Sequence, residues 1–110
     1  MPSSYLTAGQ AAPAADTNTT LYTVPASKSF VGSSLVICNR NMSSHAKFRI
    51  AVVPSGESLG NEHYLFYDQL IEARDTVTKV LGLALATGDQ LVVRADSADL
   101  SFSLFGSELS

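Results

Sequence analysis

Tryptophan is absent from this chain, cysteine occurs once, histidine twice, and charged residues make up only 15% of its 110 residues. Each shortage excludes something. The single cysteine, Cys38, forms no internal disulfide. It lies in the apolar run Leu35-Val36-Ile37-Cys38, where cysteine packs as a small hydrophobe. That usage fits synthesis in a reducing compartment. No apolar run approaches the roughly 20 residues that span a bilayer, so no membrane partner is expected. The opening Met1-Pro2-Ser3-Ser4 lacks the charge and the apolar segment of a secretory leader, and none is expected. Clustered lysines and arginines interleaved with aromatics are missing too, which argues against nucleic acid as a partner.

What is present suits one domain. A chain of this length buries roughly two-thirds of its unfolded surface, and 45% hydrophobic residues supply one core. With aromatics at 8%, that core leans on Leu, Val, Ile and five Phe. Net charge is −3, too small to name a partner. Its distribution is uneven. Lys28, Arg40, Lys47 and Arg49 face one acid, Asp16, in residues 1–56, and the other nine of the ten acids follow with Arg74, Lys79 and Arg94. Scattered solvated charge accounts for this; opposed basic and acidic surfaces for head-to-tail association are the other reading.

From Leu21 to Leu109 the chain reads as about eight short β-rich runs cut by Gly, Pro, Asn, Asp and Ser. The last is the cleanest: Leu100, Phe102 and Leu104 point one way, Ser101 and Ser103 the other, the period of a strand. Strands are expected at Thr20–Val24, Phe30–Asn39 with Gly32 as a bulge, Lys47–Val53, His63–Ile71, Thr76–Leu85, Gln90–Ala95 and from Leu100 onward. In the third, Phe48, Ile50 and Val52 face inward, while Ala51 and Val53 share a semi-exposed face with Lys47 and Arg49. In Thr76–Leu85, Lys79 interrupts an apolar face. An Asp75-capped helix is the rival there, but four β-branched residues and Gly82 disfavour it. The fold expected is all-β: a single antiparallel β-sandwich, jelly-roll-like, over residues 21–110. Residues 1–20, poor in large apolar side chains, are expected as an extended N-terminal arm. Such a segment cannot offset its own ordering entropy. It is a floppy terminus, or an arm ordered on a neighbouring subunit through Tyr5 and Leu6.

No catalytic constellation stands out, and no enzyme activity is expected. His45 and His63 lack the spacing of a metal pair. Glu62 and His63, read as neighbours on a strand, face opposite ways and share no ion. There is no Gly-x-Ser-x-Gly turn and no phosphate-cradling glycine loop. Asp96 and Asp99 flank a turn. Neither metal nor cofactor is expected. The cluster Tyr64-Leu65-Phe66-Tyr67 places aromatics on both faces of a strand, which suits an oligomer interface and equally a strand between two packed layers.

Three segments in order carry a resemblance: Leu21-Tyr22-Thr23-Val24-Pro25-Ala26-Ser27-Lys28, Leu35-Val36-Ile37-Cys38-Asn39-Arg40 and Phe48-Arg49-Ile50-Ala51-Val52. Gly60-Asn61-Glu62-His63-Tyr64-Leu65-Phe66-Tyr67-Asp68, the Gly88-Asp89 turn and Leu100-Ser101-Phe102-Ser103-Leu104-Phe105-Gly106 extend it. Over residues 21–109 the chain resembles small structural proteins of tailed bacteriophages. The resemblance implies a β-sandwich that works by assembly in a virion built in the host bacterial cytoplasm. The first role implied is capsid cement or decoration; a tail, baseplate or fibre-associated adaptor is the second. Its partners would be itself, with a trimer favoured, and other virion proteins such as the major capsid or tail proteins. Interface candidates are Tyr5, Leu6, Tyr22, Arg40, Tyr64, Phe66 and Tyr67. The competing class is a receptor- or carbohydrate-binding sandwich, with a site in loops 40–45 and 55–62 using Arg40, His63 and Tyr64.

Overall fold

The computed structural model describes residues 3–110. Its strands are β1 (Ser3–Ala11), β2 (Thr19–Thr23), β3 (Ser29–Asn39), β4 (Ala46–Val53), β5 (Tyr64–Ile71), β6 (Thr76–Leu85), β7 (Gln90–Ala95) and β8 (Leu100–Leu109), with one 3-10 turn at Asn61–His63. Two four-stranded antiparallel sheets result, sheet I in the order β1-β8-β3-β6 and sheet II in the order β2-β7-β4-β5. The fold is a β-sandwich, as the alternating runs predict.

The core lies between the sheets. Sheet I contributes Phe30, Leu35, Ile37, Leu100, Phe102 and Leu104; sheet II contributes Phe48, Ile50, Leu91 and Val93. Phe48 and Phe102 meet edge to face across the gap, with ring centroids 6.3 Å apart. Fully burying one such side chain stabilises the fold by about 1.5–3 kcal/mol. At Gly106 the packing leaves no room for a side chain. A Cβ there would meet the Phe30 ring and the Val31 carbonyl oxygen.

The expected β6 and β7 boundaries coincide with the observed ones. Asp75–Leu85 is not helical. Gly32 stands at a register shift shared by both neighbours of β3, and Ser33, the extra residue, donates to the Phe105 carbonyl.

The largest difference is at the N-terminus. Residues 3–11 do not stand apart as an arm but form β1, paired with β8 along its length. Seven strands follow from residue 19 on, and β1 makes the eighth. Large side chains do not hold this strand. Its backbone covers the edge of β8, while Ala8 and Ala11 pack on the core and Pro13 is buried. Gly9 is required because a Cβ there would strike the Leu21 carbonyl.

Two further differences follow from local geometry. A register shift between Thr20 and Tyr22 turns both Leu21 and Tyr22 into the core. Ala51 and Val53 are buried, at 1% and 4% exposure, although they share the outer side of β4 with Lys47 and Arg49. The 3-10 turn packs against that end of β4.

Candidate functional site

The two outer faces of the sandwich differ in charge. The strands of sheet I contain only two charged residues, Lys79 and Glu108, and both lie on the inner side. Lys79 pairs with buried Leu35 and holds its Nζ 4.8 Å above the Phe66 ring. Glu108 pairs with buried Phe30 and accepts a 2.6 Å hydrogen bond from Tyr22 Oη. Burial, this bond and the nearby carboxylate charge push the Tyr22 phenol above its ordinary pKa, in that order. The same bond holds Glu108 below the usual carboxylate value, with help from Lys28.

The outer side of sheet I is therefore uncharged among the described residues. Its strand pairing aligns side chains in rows. One row runs Tyr5, Ser107, Val31, Ala84; the next runs Thr7, Phe105, Ser34, Val80. These rows place Tyr5 (89% exposed) on one edge strand, Val80 (84%) on the other and Val31 (43%) between them. Beyond them the face turns polar, with Gln10 donating to Ser103 and Thr78 opposite Val36.

Sheet II is charged outside. Arg49 and Arg94 stand directly opposite each other on β4 and β7. A shallow cleft of about 210 Å³ is lined by Lys47, Arg49, Arg94, Asp16, Asp68 and Asp96, three cations against three acids. Asp68 binds Arg49 through both oxygens, at 2.7 and 3.3 Å. That bond holds the Asp68 carboxyl below its ordinary value and raises the Arg49 guanidinium. The guanidinium also lies 4.1 Å from the Tyr67 ring centroid, and Tyr64 meets Tyr67 edge to face at 5.0 Å. With three cations set against three acids, this cleft carries no net charge to draw an ionic ligand.

The sequence-derived candidates separate into five groups. Tyr5 is exposed on the outer side of β1, while Leu6 is half-buried opposite Gly106. Tyr22, 8% exposed, is a core residue, which removes it from any interface. Phe66 is half-buried against the core, near Phe48. Tyr64 and Tyr67 come together with Arg49 on sheet II. Arg40 donates to the Ala98 carbonyl at 2.8 Å and pins one turn to another.

The ligand site imagined between loops 40–45 and 55–62 does not form. The first precedes β4 and the second follows it, so roughly 25 Å of strand lies between them. His63 is buried at 7% exposure. Glu57, Glu62 and His63 do gather, contrary to the strand argument, because residues 61–63 form a 3-10 turn. The hydrogen bonding does not suit a metal ion. His63 Nδ1 accepts from the Gly60 N–H at 2.9 Å. The neutral ring then carries its proton on Nε2, which donates to Glu57 at 3.1 Å. A ligating histidine needs the reverse arrangement, with its second nitrogen donating.

Val31, Val80 and Phe105 escaped the sequence reading. The signal for Val31 is the absence of charge from segments 3–11 and 29–39, legible only once β1 is known to be a strand beside β8; Val80, next to Lys79, and Phe105 carry no such signal. No family model, curated protein or solved structure matches this chain. No helix among the described residues is long and apolar enough to cross a membrane.

Proposed function

We propose that this protein is a non-catalytic structural module that works by assembly, and that the assembly is a bacteriophage virion. Capsid cement or decoration is the role preferred; a tail, baseplate or fibre-associated adaptor is the second. Its partners are further copies of itself and other virion proteins, joined as the particle is built in the host cytoplasm. The observation that carries the assembly reading is the uncharged outer face of sheet I. Charged residues are depleted at the centres of interfaces and aromatics enriched there, and a face with Tyr5, Val31, Phe105 and Val80 in adjacent rows meets both conditions.

Two supports bring the reading to a virion. One is the resemblance over residues 21–109. The other is the strand order, 1-8-3-6 over 2-7-4-5, which suits a jelly roll, an architecture used by capsid proteins and also by lectins. Fold alone therefore decides nothing between them. The lectin reading lacks a platform: Arg49 covers the Tyr67 ring, and Arg40 is far from His63.

The test is banding of particles from a lysate of cells that make the protein, followed by quantitative mass spectrometry. The expected result is co-banding at a fixed ratio to the major shell or tail protein. Recovery only in the soluble fraction, with binding on a glycan array, overturns the proposal.

A further inference from the structure

Association in β proteins proceeds through strand edges or sheet faces, and the edges here are blunted. Inward-pointing charge, bulges and short strands all prevent edge pairing. The β6 edge carries the inward Lys79. β5 has two register shifts against β4 and Asp68 at φ 53. β2 has only five residues and a shift of its own. β1 is broken by the shift between Thr7 and Gly9. Faces remain, and that of sheet II is charged.

From this we infer that the outer face of sheet I is a two-fold interface whose occupant is a second copy of the same face. The inference rests on the assembly reading for its purpose and deepens it by naming face and partner. Three arguments select a second copy. An uncharged face meets itself without like-charge repulsion, whereas a charged partner would be desolvated with nothing to pair against. The apolar residues are also self-complementary in position. A two-fold axis along the strands, between β8 and β3, lays β1 of one copy over β6 of the other. Tyr5 then rests on the partner's Ala84, one row from Val80, and Ser107 faces the partner's Val31 with Phe105 in the adjoining row. Finally, the area suffices. Four strands about 4.8 Å apart and about ten residues long project about 600 Å². Side-chain relief brings this near the roughly 800 Å² per partner of a standard interface.

A trimer, the order favoured by the resemblance, requires two different patches that fit each other. One flat face pairs with itself and gives a dimer.

The test is sedimentation equilibrium of the full chain across concentration. The expected mass is twice 11.6 kDa. Val80→Lys, placed on an exposed edge where the fold tolerates it, should weaken the dimer about tenfold or more, with an unchanged melting curve. Ser107→Arg, in the middle of the face, should do the same. Arg49→Gln, on sheet II, should leave the mass alone. In a Cys38→Ser background, Tyr5→Cys with Ala84→Cys should be joined into a covalent dimer by a short bis-maleimide, a reach that suits sheets packed about 10 Å apart. A monomer or trimer at 100 µM, or a dimer indifferent to both face substitutions, overturns the inference. Co-banding distinguishes the two proposals. A wild-type monomer that still bands with particles sinks only the dimer; a dimer absent from particles sinks only the virion reading.

Discussion

Asp68 lies inside strand β5 yet has φ 53, and from that left-handed turn its carboxylate reaches both Arg49 Nε and Nη2. The backbone twist and the ion pair are one feature. The extra residue that bulges the strand also aims the side chain across to β4. Asp tolerates the left-handed region better than most residues, and Gly tolerates it freely. Asp68→Gly should therefore unfold near the wild-type urea midpoint, since an exposed ion pair contributes little. Asp68→Val should unfold at a distinctly lower one. Equal midpoints for the two variants would show that the backbone, not the pair, had been misjudged.

Asn39 should be the most sensitive polar residue. It is 1% exposed. Its Nδ2 donates to the Ser44 and Ile71 carbonyls, and its Oδ1 accepts from the Asn41 N–H. One side chain thus ties the end of β3, the following turn and the end of β5. Asn39→Ala strands three backbone groups and should cost about 2–4 kcal/mol, read by urea denaturation. Asn39→Asp should lose further stability as the pH rises through the carboxylate range, because ionisation would place a charge between two carbonyl oxygens.

The Tyr22–Glu108 bond gives the molecule an acid-sensitive contact between its sheets. Glu108 is held below the ordinary value of 4.5. A depressed carboxylate contributes stability above its unfolded pKa and loses it as the pH falls through the folded one. The stabilisation from Glu108 should thus be complete at neutral pH and fade below about pH 4.5. Tyr22→Phe removes the main cause of the depression and should cost about 1–2 kcal/mol at pH 7. The difference between wild type and variant should shrink on acidification. A difference constant from pH 7 to 3, measured by thermal melts, would contradict this assignment.

Removal of residues 1–18 separates an arm from a strand. A free arm could be cut without effect on the fold. Loss of β1 instead uncovers the edge of β8, which carries Phe102 and Leu104. The truncated protein should melt at a lower temperature and scatter light as it aggregates. An unchanged melting temperature with a clear solution would return residues 3–11 to the status of an appendage.

Much of this fold was legible because β8 alternates cleanly and β-branched residues crowd β6. The reading failed where backbone, not side-chain pattern, decides. β1 has no large apolar periodicity; it exists because β8 needs a neighbour and Gly9 lets the chain pass Leu21. Tyr22 looked available because a bulge one residue earlier cannot be read from its neighbours. His63 and Glu62 met because a 3-10 turn replaced a strand start by one residue. Lys79, puzzling on an apolar face, belongs to an edge strand, where a long side chain lies over Phe66 with its charge near the rim. The interaction face was hidden for a different reason. Its rows draw on segments from both ends of the chain, and only the pairing of β1, β8, β3 and β6 collects them.

The molecule is about 19 Å through its thinnest dimension, with a neutral wall on one broad side and paired charges on the other. A kosmotropic salt such as sulfate acts oppositely on the two: it screens the charged side and favours burial of the neutral one. A tablet with unlike sides has a right way up. Wherever copies are laid against a larger body, the neutral side can be spent only once, on a twin or on the body itself, and that choice fixes which side is left facing the water.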